Sequence, residues 1–174
     1  NLLEASAAYY ENALKSPGGT HARQYIIEKR KLTGEAIARF RLGYAPGSRN
    51  ALKEHLAKLG FTNEEMIQSG MLIGGDDIPV SYDRFRNRVM FPITDLKNRV
   101  IAFGGRALDA DAPAKYLNSP ETPLFHKGHI LFHAAGARTP AHDRNRVIAV
   151  EGYMDVVALA SAGFAESVAP LGTA

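Results

Sequence analysis

The stretch Val147-Ile148-Ala149-Val150-Glu151-Gly152-Tyr153-Met154-Asp155-Val156-Val157 decides how the end of this chain folds. Its four leading apolar residues predict a strand buried on both faces. Glu151-Gly152 breaks the run. Helical spacing then extends from Tyr153 to about Ala162, with Gly163 as the stop. Ser167–Pro170 reads as a second short strand. Strand, helix and strand make one β-α-β unit, for which parallel pairing with a right-handed crossover is the default. Two strands and a helix cannot cover both faces of a parallel sheet. A fragment of a longer protein, or a partner that completes the sheet, is therefore expected.

Glu151 falls just past the carboxyl end of its strand, where open α/β sheets bind ligands. Asp155 follows about one helical turn later, so both carboxylates can face one spot. Such a pair suits Mg²⁺, which prefers oxygen ligands and shares its shell with water and phosphate. The same pair would also serve the dipole at the helix N-terminus. Leu171-Gly172-Thr173 offers backbone N–H groups to a phosphate if a helix follows, and is otherwise an ordinary turn.

Upstream the period alternates. Arg88–Thr94 and Arg99–Leu108 read as strands joined by a turn at Asp95-Leu96-Lys97-Asn98. Gly104-Gly105 within the second strand marks a bulge or a close backbone approach. Arg84, Arg86 and Arg88 alternate. In an extended chain they share one face, opposite Val89, Phe91 and Ile93. A row of arginines attracts phosphates and an interleaved aromatic can stack on a base; the other reading is a solvated strand face. Residues 109–123 are loop-like and carry Lys115, Tyr116, Asn118 and Ser119, with His126 and Lys127 beyond. His126, His129 and His133 are spaced like a helix face but lack an acidic third ligand, so no zinc site is expected there. Arg138–Asn145 reads as a polar linker.

The first half is helical in period. One helix runs from Leu2 through Leu14 to a stop at Pro17-Gly18-Gly19. Thr20 caps a second, to about Leu32. Thr33 caps a third, which ends before Pro46. Ser48 opens a fourth, closed by Gly60. Thr62 and Glu65 form a capping box for a fifth, closed by Gly70.

Composition agrees with a folded protein. The 174 residues are 45% hydrophobic and 22% charged, with no cysteine, which excludes disulfides and thiolate metal sites. No apolar run approaches the roughly 18 residues that span a bilayer. The opening Asn1-Leu2-Leu3-Glu4 lacks a basic flank and cleavage pattern, so no signal peptide is expected. The net charge of +3 is unevenly spread: basic residues concentrate in 1–60 and 82–132, and acidic ones in 61–81. A basic groove beside isolated carboxylates is what a nucleic-acid enzyme needs.

Several blocks resemble, in order along nearly the whole chain, those of bacterial DNA primase. They are Phe40–Pro46 (FRLGYAP), Tyr82–Ile93 (YDRFRNRVMFPI), Val100–Leu108 (VIAFGGRAL), Lys115–Thr122 (KYLNSPET), Phe125–Gly128 (FHKG) and Val150–Val157 (VEGYMDVV), with Leu171-Gly172-Thr173 in keeping. Glu-Gly-Tyr-Met-Asp alone would suggest only a Toprim domain. The resemblance implies an α+β fold: a helical part over 1–81 and a small basic antiparallel β region over 82–142 of one subdomain. The first β-α-β of a truncated Toprim domain follows over 143–174.

It implies RNA-primer synthesis on single-stranded DNA from ribonucleoside triphosphates by nucleotidyl transfer. Glu151 and Asp155 become the catalytic carboxylates and part of a Mg²⁺ or Mn²⁺ site. Arg30, Arg84, Arg86, Arg88, Arg106, Tyr116, Asn118 and Ser119 become candidates for the template groove. Lys115 and Lys127 become candidates for nucleotide contact. The family's Asp-x-Asp motif would follow Ala174. Its zinc-binding domain would lie N-terminally, and its contact with the replicative helicase in a C-terminal domain, both outside this sequence. The stretch by itself is expected to be inactive, monomeric or weakly paired through its sheet edge, with the whole protein cytoplasmic at the replication fork and free of membranes. A non-catalytic single-strand-binding module and another Toprim enzyme are the alternatives.

Overall fold

The computed structural model describes residues 1–172. Helix α1 (Leu2–Lys15) starts where the Asn1 side chain accepts from the Leu3 N–H, and buries Leu2, Leu3, Ala7, Tyr10 and Leu14. A 3₁₀ turn at Pro17–Gly19 leads into α2 (Thr20–Gln24), so Thr20 is the first helical residue rather than its cap. The helix then widens into a π turn over Tyr25–Lys29 and ends at Arg30, followed by Lys31 in the left-handed region. Thr33 does cap α3 (Gly34–Arg39) by accepting from the Ala36 N–H. That helix stops earlier than expected because Arg41 takes φ 53, held there by Glu4 and Glu11. The freed Gly43–Ala45 becomes strand β1.

Helices α4 (Ala51–Lys58) and α5 (Asn63–Gln68) follow, ending at Gly60 and Gly70 with φ of 92 and 80. Thr62 accepts from the Glu65 N–H as expected. Ser48 does not open α4. The Asp83 carboxylate reaches across instead and accepts from the Leu52 and Lys53 N–H groups at 2.9 and 3.0 Å. Burial outweighs those bonds and pushes the Asp83 carboxyl up to about 6 from 3.8. The folded state thus holds this proton more tightly than the unfolded one. Its contribution is full below pH 3.8 and is lost as pH rises through about 6. Asp83→Asn is expected to flatten that part of the stability–pH curve, measured by denaturation at each pH; an unaltered slope rejects the assignment.

The acidic stretch forms a hairpin that sequence period did not reveal, β2 (Leu72–Gly75) with β3 (Ile78–Asp83). Strands β4 (Arg88–Thr94) and β5 (Val100–Ala107) pair antiparallel as expected, around the Asp95–Asn98 turn. Tyr116–Asn118, expected as loop, is strand β6, and the sheet runs β1-β4-β5-β6. Its two faces bury two cores. Met90 and Phe103 join Tyr10, Leu52, Leu56 and Phe85 on one side. Val89, Phe91 and Ile93 join Phe132, Tyr153, Val156 and Val157 on the other.

The end of the chain carries β7 (Leu131–Phe132), α6 (Ala134–Arg144), β8 (Ile148–Ala149), α7 (Tyr153–Ser161) and β9 (Ser167–Pro170). Strands β8 and β9 pair parallel, and β7 flanks β9 antiparallel in the order β7-β9-β8. Two expectations fail here. The expected linker Arg138–Asn145 is instead the last part of α6, which runs to Arg144 and is capped by a left-handed Asn145. The helix buries only Ala137, so it shows no apolar stripe, and Arg144 anchors its end to the fully buried Glu166 at 2.8 Å. Among the described residues Val147–Val150 is not buried on both faces: β8, two residues long, pairs with β9 alone, and Val147 is 61% exposed.

Candidate nucleic-acid and nucleotide cleft

Glu151 and Gly152 leave the carboxyl end of β8, and α7 carries Asp155 one turn on. Both carboxylates are exposed and line one cleft of about 970 Å³. Arg84, Tyr116, Asn118 and Lys127 line the same cleft. A smaller cavity of about 220 Å³ opens on the other side of Asp155, against Lys29 and Arg30. Among the described residues, no group of three or more His, Asp or Glu side chains is placed to hold a metal. Two exposed carboxylates in a wide cleft fit a hard cation that completes its shell with water and phosphate oxygens.

Tyr153, two residues from each carboxylate, lines the same cleft and anchors its wall. Its ring stacks on Phe91 at 5.0 Å and meets Phe132 edge-on at 4.7 Å. Burial, then the neighbouring Tyr116, raises its phenol well above the usual range, so the hydroxyl stays protonated and donates to Asn118 Oδ1 at 2.6 Å. Asn118 Nδ2 in turn donates to the Leu171 carbonyl at 2.9 Å, and Arg84 donates twice to the Asn118 carbonyl at 3.1 and 2.8 Å. Asn118 therefore clasps β6 to the end of β9 at the cleft rim. Asn118→Ala leaves the buried Tyr153 hydroxyl unpartnered and is expected to destabilise by about 2 kcal/mol. A melting midpoint equal to wild type contradicts this role.

The arginines do not form one row. Arg84 to Asn87 is a connector with Asn87 at φ 50, not extended strand, so the alternation is broken. Arg86 is exposed and its guanidinium lies over the Tyr82 ring at 5.3 Å. Arg88 is buried and donates to the carbonyls of Gly105 and Lys115. Burial first, and then the charges of Arg106, Arg84 and Arg86, depress its pKa. Ser119 is fully buried, and its hydroxyl accepts from the Phe103 N–H. Arg88 and Ser119 thus hold the sheet together and present nothing to a ligand in the cleft. Arg30 and Arg106 converge on Tyr116: Arg106 lies 5.4 Å from its ring, and Arg30 is 3.5 Å from its hydroxyl. Lys115 is exposed one residue before β6.

Sequence reasoning missed Lys29, which lines the smaller cavity, and Tyr153. Lys29 sits on the π turn, which has no period of its own. Tyr153 reads simply as a core position of α7. Glycine spacing held a signal for it, since Gly104 lies directly under its ring. The suspected bulge is elsewhere, between Ile93 and Thr94. The phosphate-cradling reading of Leu171-Gly172-Thr173 includes Thr173, which lies outside the described residues.

The model for the DNA primase catalytic core, N-terminal domain, matches residues 9–138, and that for the Toprim domain matches residues 145–174. DNA primase of Pseudomonas aeruginosa is 48% identical over 99% of this chain, and that of Escherichia coli K12 is also 48% identical over 99%. The chain spans 26% and 29% of their lengths. Among solved structures, the DnaG primase catalytic domain bound to single-stranded DNA superposes with a TM-score of 0.87 at 48% identity, covering 99% of this chain and 53% of that one. The RNA polymerase domain of Mycobacterium tuberculosis primase, bound to a DNA duplex with a 6-nucleotide overhang, gives 0.90 at 36%, covering 99% and 55%. With its helical and sheet regions in the same order and its carboxylates at the mouth of β8, the chain belongs to the DNA primase catalytic core family, N-terminal domain, and continues into a Toprim domain.

Proposed function

We propose that the full-length protein synthesises short RNA primers on single-stranded DNA, and that this chain supplies the template wall and the first carboxylates of its active site. The observation that carries the reading is that Glu151 and Asp155 share one cleft with Arg84, Lys127 and Tyr116. Such a cleft brings basic, aromatic and acidic groups together. The Toprim and primase families imply a divalent metal, here Mg²⁺ or Mn²⁺, with Glu151 and Asp155 among its holders. When bound, it supplies neutralisation of phosphate charge and eases ionisation of the attacking hydroxyl.

The chain's own residues position the reactants. Arg30, Arg106 and the exposed Arg86 draw the template phosphates, and Tyr116 offers a face for a base. Lys115 and Lys127 meet the incoming nucleotide. The primer 3′-hydroxyl attacks the α-phosphorus, a P–O bond forms, the bond to the bridging oxygen breaks, and pyrophosphate leaves with the hydroxyl proton passing to solvent. Positioning and electrostatics carry most of the acceleration. The zinc-binding domain, the helicase contact and the cytoplasmic setting of such primases belong to the same proposal. Among the described residues no helix is long and apolar enough to cross a membrane.

The test uses full-length protein, single-stranded DNA, ribonucleoside triphosphates and Mg²⁺. Short RNA products that vanish on chelation are expected; single-strand binding without any product would favour the non-catalytic module. Arg106→Ala is expected to lower single-strand affinity and to reduce its salt slope by roughly one. An unchanged slope removes Arg106 from the template wall.

A further inference from the structure

Three cations from two elements surround one aromatic ring. Lys29 Nζ lies 5.8 Å from the Tyr25 ring centroid, Arg30 Cζ 6.0 Å and Arg106 Cζ 5.6 Å. All three fall within the range over which a ring quadrupole attracts a cation. Lys29 and Arg30 also line the cavity against Asp155. Arg106 continues from Tyr25 to Tyr116, which lines the main cleft. The ring therefore sits at the hub of a cationic fan that reaches from the cavity beside Asp155 to Tyr116 in the main cleft.

The backbone explains how one residue reaches all three. Tyr25 begins the π turn, and the Arg30 N–H bonds to its carbonyl, a spacing of five residues instead of four. That wider turn carries both Lys29 and Arg30 over the ring of Tyr25. Like charges held this close repel, and an electron-rich face between them offsets the repulsion. The Tyr25 hydroxyl is buried and has no hydrogen-bond partner among the described residues, so the ring and not the hydroxyl makes these contacts.

We propose that Tyr25 is a positioning residue, whose ring gathers Lys29, Arg30 and Arg106 so that they hold the phosphates of the template strand where it passes Asp155. This rests on the primase reading above. It adds a requirement for the ring's electron density that the reading itself does not contain.

The experiment compares full-length proteins carrying Tyr25→Phe, Tyr25→Leu and pentafluorophenylalanine at position 25. Fluorination keeps the shape of the ring and reverses its quadrupole, so folding is retained while the attraction is lost. Tyr25→Phe is expected to match wild type, because the hydroxyl makes no hydrogen bond among the described residues. The fluorinated protein is expected to bind a labelled single strand with a Kd roughly fivefold higher. With template in excess its kcat stays within about twofold, since binding is what is lost. Tyr25→Leu, if it folds, should follow the fluorinated protein. Equal single-strand Kd values for Tyr25→Phe and its fluorinated form overturn the proposal. So does a Tyr25→Phe protein as impaired as Tyr25→Leu. Absence of primers from wild-type protein would instead reject the primase reading.

Discussion

Glu151→Gln in the full-length protein is expected to cut primer synthesis by roughly 10²- to 10³-fold while leaving the fold and single-strand affinity intact. Glutamine keeps the side chain's size and removes its charge. Glu151 is exposed at the rim of β8, so the fold loses nothing, and a stability change within about 0.5 kcal/mol is expected. The cleft does lose one of the two carboxylates that share it. Asp155 is then the one carboxylate this segment still supplies, which weakens the hold on a cation and its neutralising effect on the triphosphate. Template binding draws on Arg30, Arg86 and Arg106, none of which the substitution touches. Two assays decide the matter: product formed per unit time, and salt-dependent binding of a labelled single strand. Full synthesis in the variant would remove Glu151 from the chemistry. Lost synthesis together with lost binding would point to a collapsed cleft.

The second large effect falls on Gly104. A methyl group built there would come within 2.6 Å of Tyr153 Cε2 and closer still to Cζ and Oη. Gly104→Ala must therefore push the ring away. The displaced ring gives up its stack on Phe91, its edge contact with Phe132 and its hydroxyl bond to Asn118. Overpacking of this kind, together with a broken buried hydrogen bond, is expected to destabilise by about 3 kcal/mol. Because the clash is between two named groups, Tyr153→Leu with Gly104→Ala should be less damaging than the two single effects added. Denaturant unfolding of the four proteins measures the coupling. Strict additivity would show that the two sites do not touch.

The legible part of this fold was its local chemistry. Thr33 and Thr62 cap helices because their hydroxyls accept the third N–H onward, a purely local bond. Val100–Ala107 and Arg88–Thr94 pair across a turn whose Asp95 accepts from the Lys97 and Arg99 N–H groups. The parallel β8–β9 pair followed from chain connectivity. What escaped were elements held by distant partners. Strand β1 exists because β4 pairs with it, and α4 is capped by Asp83 from 31 residues away. Helix α6 has no apolar face and depends on the Arg144–Glu166 bond. The carboxylates were legible because the edge of a β-α-β unit has one place for them. The arginine row was not, since Asn87 turns the chain left-handed between Arg86 and Arg88. Asn118 shows the same limit. The resemblance made it a template-groove candidate, while its side chain is engaged by Tyr153 and Leu171.

The aromatic cluster of Phe91, Phe132 and Tyr153 lies across the seam between the two matched regions. Phe91 and Phe132 come from the first region and Tyr153 from the second, and all three belong to one apolar core. A hinge at this seam would have to pull interlocked rings apart. The gap between basic wall and acidic rim is accordingly set when the chain folds, as in a caliper locked at one opening. A chimera that exchanges the Toprim region between primases should therefore carry Phe91, Gly104 and Phe132 with it as a matched set.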